Sequence, residues 1–438
     1  MAQRHSCNRR ASLNCSGRSG TDGYLALLQR LQKELKTPVA RKMQEDRHSI
    51  AAVSGTGQFR ALATPHFSAM DSSTITVTPP REAGSRLLSF ATEASHAGGL
   101  GHFMRCFALA QEARARGIES RFILKQASAA MRARLAGIGA QWVEAGDQWK
   151  QACLAQAPAA DAWWVVDSYA ATTDLLDALR RRNRVLYFDD LCALPHFPCD
   201  LVLNASPQAT QLPYADRMSA RCSLLAGPAY AQIRIELRKA ARMPGLTRGR
   251  TRQIGLMLGG SDATGLALQV LTSLRAALPD ADLQAFMGPA SADISQVREA
   301  AMRQTQSTVL SDPPDLAERL AACDLVVTAA GSSVWELCAL RQAAIALVVA
   351  DNQVAALQAC PFPSLDARQG VPSELGELAR TLLADPTGLE RLRQRAVDAV
   401  DGRGAARTLA AMGLGRPTSP LPIPASASPT TEPEGTLR

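Results

Sequence analysis

Apolar and polar positions along residues 85–226 form a regular succession of short apolar runs and amphipathic stretches. The runs SRLLSFATE, SRFILK, AWWVVDSY, RVLYFDD and DLVLNAS predict strands that begin at residues 85, 120, 162, 184 and 200. Stretches with helical spacing lie between them, such as GHFMRCFALAQEARARG and TTDLLDALRRR, the latter with a threonine at its N-cap. Apolar strands that alternate with helices predict βα units and a parallel sheet.

The same rhythm returns after residue 252. QIGLMLGG, LQAFMG, LVVTAAG and AAIALVV predict further strands, and DLAERLAAC and SSVWELCAL predict helices between them. Residues 227–252 are basic and less periodic, which is typical of a linker. The pattern therefore predicts an α/β protein with two Rossmann-like domains, at residues 85–226 and 253–413, whose parallel sheets face a central cleft.

The two ends of the chain differ from this pattern. Residues 1–84 are polar and basic around one amphipathic stretch, YLALLQRLQKELK, and residues 414–438 are rich in Pro, Ser and Thr. Such compositions predict a disordered extension and a disordered tail. Two alternatives for residues 1–84 are a regulatory or docking arm and a translation start at Met70.

Charge and cysteine usage narrow the class of protein. Of the net charge of +8, residues 1–60 carry +7, so the remainder is nearly neutral and no nucleic-acid partner is expected. The longest apolar run, AAIALVVA, is too short to span a bilayer, and no membrane insertion is expected. None of the ten cysteines forms a CxxC pair, so no metal site is expected. The scattered cysteines and the lack of a recognisable signal peptide favour a cytoplasmic protein.

Five polar clusters follow predicted strands: GGLGH (98–102), DSY (167–169), GGSD (259–262), AGSSVWE (330–336) and ADNQ (350–353). Ligands of α/β proteins bind at the carboxyl ends of the strands. Each cluster alone is explained as well by ordinary turn formation, since Gly, Ser and Asp favour turns. Five of them spread over both halves predict one shared binding cleft.

The cluster GGLGH lacks the third glycine of a dinucleotide fingerprint, and the chain contains no P-loop motif, so no cofactor is expected. Gly99 and Gly101 would let a ligand approach the backbone closely. His102 would lie in the first turn of the following helix, where the helix dipole would lower its pKa and favour a neutral, basic imidazole. The alternative is a histidine that only stabilises the turn.

Two clusters in the second half suit phosphate and ribose groups. Gly259, Gly260 and Ser261 form a glycine turn after a strand; a nucleophile elbow is excluded because all six histidines precede Ser261. Gly331, Ser332 and Ser333 precede a helix and would bind an anion. Glu336 would accept hydrogen bonds from ribose hydroxyls, or would complete a capping box with one of the serines.

Taken in order, the clusters resemble the UDP-2,4-diacetamido-2,4,6-trideoxy-β-L-altropyranose hydrolases of pseudaminic acid biosynthesis, from about Leu87 to Met412. The resemblance is carried by GLGHFMRCFALA, WVVDSY, AGPAYAQIRIELR, LMLGGSD, AGSSVWELC, VVADNQ and VDGRGAARTL. It implies the GT-B fold of the MurG glycosyltransferase. It also implies hydrolysis of a UDP-linked diacetamido sugar to UDP and free sugar, for surface glycans such as glycosylated flagellin.

The resemblance also implies roles for single residues. His102 would activate water at the anomeric carbon, and Tyr169 and Asn352 would hold or polarise the sugar. The GGSD turn and Gly331–Ser333 would hold the diphosphate and Glu336 the ribose. Two further binding residues come from the ADNQ cluster, Asp351 and Gln353.

This chain departs from the family pattern before the glycine turn and after the ADNQ cluster. The stretch ATEAS has Ala91 and Glu93 where the family has arginine and aspartate, and Gly98 stands for isoleucine. The segment after Gln353 is shortened. A GT-B transferase that uses a UDP-sugar donor and a catalytically impaired binding relative therefore remain as alternatives, although the lack of a basic apolar patch after residue 85 favours water over a lipid acceptor.

Overall fold

A computed structural model gives the architecture of the chain. It describes residues 87–93, 100–156, 161–241, 251–259, 265–288, 291, 293–304, 306–354 and 356–415, excluding the side chains of residues 356 and 358. The predicted disordered extension, most of the predicted tail and three predicted site residues, Gly99, Gly260 and Ser261, lie outside this part.

The first half of the described chain forms a seven-stranded parallel sheet in the order β3-β2-β1-β4-β5-β6-β7. Its strands are β1 Leu87–Thr92, β2 Glu119–Leu124, β3 Gln141–Glu144, β4 Trp163–Asp167, β5 Arg184–Phe188, β6 Leu201–Asn204 and β7 Ser223–Ala226. Its helices are α1 Gly101–Arg114, α2 Ala129–Gly137, α3 Trp149–Ala155 and α4 Thr173–Arg180. Ser128 and Thr172 cap α2 and α4 through their hydroxyl groups, as a strand–turn–helix sequence requires.

The second half forms a six-stranded parallel sheet in the order β10-β9-β8-β11-β12-β13. Its strands are β8 Gln253–Met257, β9 Asp282–Met287, β10 Ser307–Ser311, β11 Leu325–Ala329, β12 Ala344–Val348 and β13 Ser364–Asp366. The helices of this part of the chain are α5 Ile235–Ala240, α6 Ala267–Ala277, α7 Ile294–Met302, α8 Leu316–Ala322, α9 Ser333–Ala339, α10 Ala356–Ala359, α11 Leu375–Ala384, α12 Pro386–Ala399 and α13 Gly404–Ala411.

The two parallel sheets confirm the predicted α/β class with two Rossmann-like halves. In each, the first strand of the half lies inside the sheet: β1 between β2 and β4, and β8 between β9 and β11. The chain therefore reverses its direction of winding beside β1 and β8, and a crevice opens there at the carboxyl ends of the strands. The central strands are buried on both faces, which explains why they read as continuous apolar runs.

Two segments connect the halves. Within the predicted linker, α5 packs its Leu237 into the core of the second half. The last helix, α13, returns to the first half, where Leu409 and Met412 join the core around Phe90 and the Trp163 indole N–H donates to the Met412 carbonyl at 3.0 Å. The domain boundaries at 226, 252 and 413 stay predictions.

Candidate functional site

A cavity of about 600 Å³ lies at the carboxyl ends of both sheets. The first half contributes residues that follow β1, β4 and β5, and the second half contributes residues that follow β8, β11 and β12. The cavity thus lies at the two winding reversals, which is where the strand-end clusters predicted a shared cleft.

His102 is in the first turn of α1 and lines this cavity, with 7% of its surface exposed. Its Nδ1 lies 2.5 Å from Oδ1 of Asp167, the last residue of β4, which is fully buried. An ionised carboxylate only accepts hydrogen bonds, so Nδ1 carries the proton and Nε2 is the basic nitrogen of the neutral ring. Both side-chain contacts of this imidazole among the described residues are made by Nδ1, and none of these residues hydrogen-bonds to Nε2.

The pKa of His102 differs from the expectation based on the helix dipole. Burial lowers this pKa, but the charge of Asp167 and its hydrogen bond raise it more, so it lies above the ordinary value of 6.5. The prediction of a lowered pKa was wrong because a carboxylate in direct contact outweighs the partial charge of a helix end.

Arg105 holds two carboxylates beside His102. Its Nε donates to Asp167 Oδ2 at 2.6 Å and its Nη2 to Asp167 Oδ1 at 2.7 Å. On its other side, Nη1 and Nη2 donate to Asp190 at 2.8 and 3.1 Å. The sequence interpretation assigned no role to this arginine. The spacing of three residues from His102 places Arg105 on the same helix face, which is a usable signal.

Tyr169 and Asn352 contact each other beside His102. The Tyr169 hydroxyl donates to Asp190 Oδ2 at 3.0 Å and accepts from Asn352 Nδ2 at 3.3 Å. The Tyr169 ring stands edge-on to the imidazole, with 4.6 Å between ring centroids. Burial and the Asp190 charge raise the pKa of Tyr169, so its phenol stays protonated. The three predicted catalytic residues therefore share one corner of the cavity, with Asn352 contributed by the second half.

The glycine and serine clusters of the second half also line the cavity. Gly259 follows β8 with a φ of +98°, a conformation that favours glycine. Gly331 and Ser332 lie between β11 and α9, Ser333 is the first residue of α9, and Gly101 lines the opposite wall. Their small side chains leave the backbone accessible from the cavity.

Glu336 has a partner that sequence reasoning missed. Both of its carboxylate oxygens accept from Arg234, at 2.8 and 3.0 Å, and Arg234 is 8% exposed. The alternative of a capping box is wrong, because the Ser332 side chain makes no capping hydrogen bond and Glu336 turns to the arginine. Each carboxylate oxygen keeps a second lone pair for a ligand hydroxyl.

The ADNQ cluster divides between the cavity and the surface. Asn352 and Gln353 line the cavity, and Gln353 Oε1 accepts from the Val349 N–H at 3.1 Å. Asp351 does not line it; its side chain is 92% exposed and accepts from Arg368 at 2.7 Å. The predicted binding role of Asp351 therefore lacks geometric support.

The arginines that line the described wall of the cavity are all paired. Arg105 bonds to Asp190, Arg234 to Glu336, and Arg134 of α2 to Asp312, which follows β10 in the other half. An anionic ligand would therefore exchange with one of these carboxylates or bind through the hydroxyl, amide, imidazole and backbone N–H groups of the lining residues.

Among the described residues, no group of three or more His, Cys, Asp or Glu side chains is arranged to hold a metal ion. Nor does this part of the chain contain a helix both long and apolar enough to cross a bilayer.

Comparison with solved structures shows the fold. A glycosyltransferase from Rickettsia africae is 11% identical, with a TM-score of 0.52 over 75% of this chain and 98% of that one. The chain has the GT-B fold. Two further structures have lower TM-scores. MurG from Acinetobacter baumannii is 14% identical, with a TM-score of 0.47 over 75% of this chain and 99% of that one. HepE from Anabaena in complex with UDP and glucose is 14% identical, with a TM-score of 0.49 over 75% of this chain and 98% of that one. No protein-family model and no curated protein matches this chain.

Proposed function

We propose that this protein is an enzyme that cleaves the glycosidic bond of a UDP-sugar, with His102 as the general base. The observation that carries the proposal is the His102–Asp167 pair at the edge of the interdomain cavity, 2.5 Å between Nδ1 and Oδ1. A histidine oriented by a buried carboxylate is the arrangement that general-base catalysis requires.

The chemistry follows from this pair. Nε2 of His102 takes the proton of a hydroxyl group, whose oxygen then forms a bond to the anomeric carbon. The bond from that carbon to the phosphate oxygen breaks, and its electron pair leaves with UDP. Asp167 stabilises the imidazolium that results, while Tyr169 and Asn352 hydrogen-bond the sugar from the other side of the corner. UDP is a good leaving group once its charge is met by hydrogen-bond donors, so no strong general acid is required.

The nucleotide would bind to the wall contributed by the second half. Gly259, Gly331, Ser332 and Ser333 offer backbone N–H and hydroxyl donors to the diphosphate, and Glu336 offers acceptors to the ribose. In this arrangement Arg234 holds the Glu336 carboxylate in place and lies near the diphosphate.

Transfer to an acceptor hydroxyl is the reaction favoured by the fold comparison, because the Rickettsia structure is named a glycosyltransferase. Hydrolysis of a UDP-linked 2,4-diacetamido-2,4,6-trideoxy sugar, as a step in pseudaminic acid biosynthesis, is the second candidate. It is supported by the ordered motifs from GLGHFMRC to VVADNQ and by their position around the cavity. The two reactions differ only in the hydroxyl that His102 deprotonates.

The test is UDP release by the purified protein from UDP-N-acetylglucosamine and from a UDP-diacetamido-trideoxyhexose, with and without alcohol acceptors. We expect His102→Gln to lower kcat by about 10²–10⁴-fold. His196→Gln, an exposed histidine outside the cavity, is the matched control and should leave kcat unchanged.

The product identifies the reaction. Free sugar formed without an acceptor indicates hydrolysis, and release of UDP only with an acceptor indicates transfer. UDP release that is equal in His102→Gln and wild type would contradict the role of the base. UDP-sugar binding without turnover would identify the catalytically impaired relative.

A further inference from the structure

The carboxylate of Asp167 is shared between two cationic partners. Its Oδ1 meets His102 Nδ1 at 2.5 Å and Arg105 Nη2 at 2.7 Å, and its Oδ2 accepts from Arg105 Nε at 2.6 Å. Arg105 Nη2 and His102 Nδ1 are 3.4 Å apart, and both atoms are donors when the imidazole carries its Nδ1 proton. The guanidinium therefore competes directly with the histidine for one buried charge.

The charged groups around His102 come from four elements. Asp167 ends β4, Arg105 is on α1, Asp190 follows β5, and Glu93 follows β1. Glu93 accepts from Lys125 at 2.6 Å and from the Ser168 hydroxyl at 2.7 Å, so its charge is largely neutralised. Among neutral polar neighbours, the Cys106 thiol donates to Asp167 Oδ2 at 3.7 Å, and the Tyr169 ring stands edge-on to the imidazole.

Without Arg105, the negative charges around His102 would no longer be offset by a buried positive charge. Asp167 and Asp190 would then face His102 as two negative charges with no cation between them, and the imidazole would hold its second proton strongly. A protonated imidazole has no lone pair and cannot act as a base. Arg105 spans the two carboxylates with bonds of 2.6–3.1 Å and supplies the missing positive charge.

We infer that Arg105 is a positioning residue that, by sharing Asp167 with His102 and holding Asp190, keeps the imidazole available as a base near neutral pH. The inference rests on the proposed function for its catalytic meaning, but the protonation of His102 can be measured without any substrate. It assigns the two carboxylates different effects: Asp167 orients the ring, and Asp190 holds the arginine against Asp167.

Opposite charge changes should move the titration of His102 in opposite directions. Arg105→Gln removes a positive charge and should raise the pKa of His102 by about one unit or more. Asp190→Asn removes a negative charge, leaves Arg105 to Asp167, and should lower the pKa. Arg105→Lys keeps the charge without the two-pronged geometry, so its shift should be smaller than that of Arg105→Gln.

The experiment is an NMR pH titration of full-length protein labelled with ¹³C-histidine, with the His102 resonance assigned by its loss in His102→Gln. In parallel, the pH profile of kcat/KM for UDP release is recorded, and its acidic limb should move with the NMR titration. Arg132→Gln, an exposed arginine of α2 that pairs with Glu144, is the matched control and should leave both measurements unchanged.

A purely structural role would lower kcat/KM at every pH without moving either midpoint, and that result would overturn the inference. So would shifts of the same sign in Arg105→Gln and Asp190→Asn. If Arg105→Gln does not fold, Arg105→Lys and Asp190→Asn still decide the sign of the effect. If wild type releases no UDP, the proposed function fails, whereas opposite NMR shifts still support the role of Arg105.

Discussion

Asp167 is the buried carboxylate that binds both His102 and Arg105. Burial raises its pKa, but Arg105 and His102 lower it more, and the result is a pKa of about 2. Because the pKa is below its ordinary value, the stability that this carboxylate contributes is complete above pH 4 and is lost as the pH falls towards 2.

Replacing Asp167 by Asn should therefore destabilise the protein at neutral pH, because Arg105 loses its buried partner. We expect a loss of about 3–5 kcal/mol in the free energy of unfolding, measured by urea denaturation. Asp177→Asn is the control, since Asp177 is 52% exposed in its pair with Arg181 and should contribute less than about 1 kcal/mol. Equal losses in both variants would contradict the role assigned to burial.

Sequence reasoning found the residues of the site that follow glycines or end apolar strands. His102, Tyr169, Asn352 and the Gly331–Ser333 turn are of this kind, and all of them line the cavity. It missed residues whose role depends on a distant partner: Arg105 meets Asp190 85 positions later in the chain, and Arg234 meets Glu336 102 positions later. Such pairs follow from the order of the strands, which local patterns do not determine.

At the scale of elements, the first residue of α13, Gly404, packs so closely against the backbone of Tyr230 and Ala231 that a larger side chain would not fit. A Cβ built on Gly404 would lie 2.0 Å from the Ala231 carbonyl oxygen and 2.6 Å from the Tyr230 carbonyl carbon. Both are backbone atoms, so they cannot move aside as a flexible side chain would. The helix that returns to the first half thus contacts residues 230–231 through this glycine.

Gly404→Ala should displace α13 and lower the free energy of unfolding by about 1–3 kcal/mol. Gly137→Ala, at the end of α2 with no atom within 4 Å of its Cβ, is the control and should be neutral or stabilising by up to about 1 kcal/mol. Thermal and urea unfolding of the two variants measures both effects. A stable Gly404→Ala protein would mean that the contact between α13 and residues 230–231 relaxes freely.

The nine strands predicted from the sequence are all present, and the four that were missed are the edges of the two sheets. These are β3 and β7 of the first sheet and β10 and β13 of the second. The inner strand β12 is buried at every position, whereas β3 and β10 contain no buried residue. Edge strands are short and partly polar because one side is unpaired, so they lack the apolar runs by which buried strands are recognised.

At the scale of the molecule, two contacts close the cavity between the halves. Arg134 of α2 pairs with Asp312, and Tyr169 accepts from Asn352 at 3.3 Å. Asp312 adopts a φ of +45°, which is uncommon for a residue other than glycine, so its carboxylate is held towards α2 at some conformational cost. The ion pair is only partly exposed, with 26% and 28% of the two side chains accessible.

If this pair holds the halves together around a nucleotide, reversing one of its charges should speed nucleotide release. For Arg134→Glu we expect the dissociation rate of UDP to rise about 5-fold, which corresponds to about 1 kcal/mol. Stopped-flow measurement of tryptophan fluorescence follows this rate, because Trp335 lines the cavity. The double variant Arg134→Asp with Asp312→Arg should restore slow release, because it rebuilds the pair with exchanged signs.

High salt should reduce the difference between wild type and Arg134→Glu, since a partly exposed pair is screened. Fast release in the double variant at low salt would contradict the role of this ion pair in slowing nucleotide release.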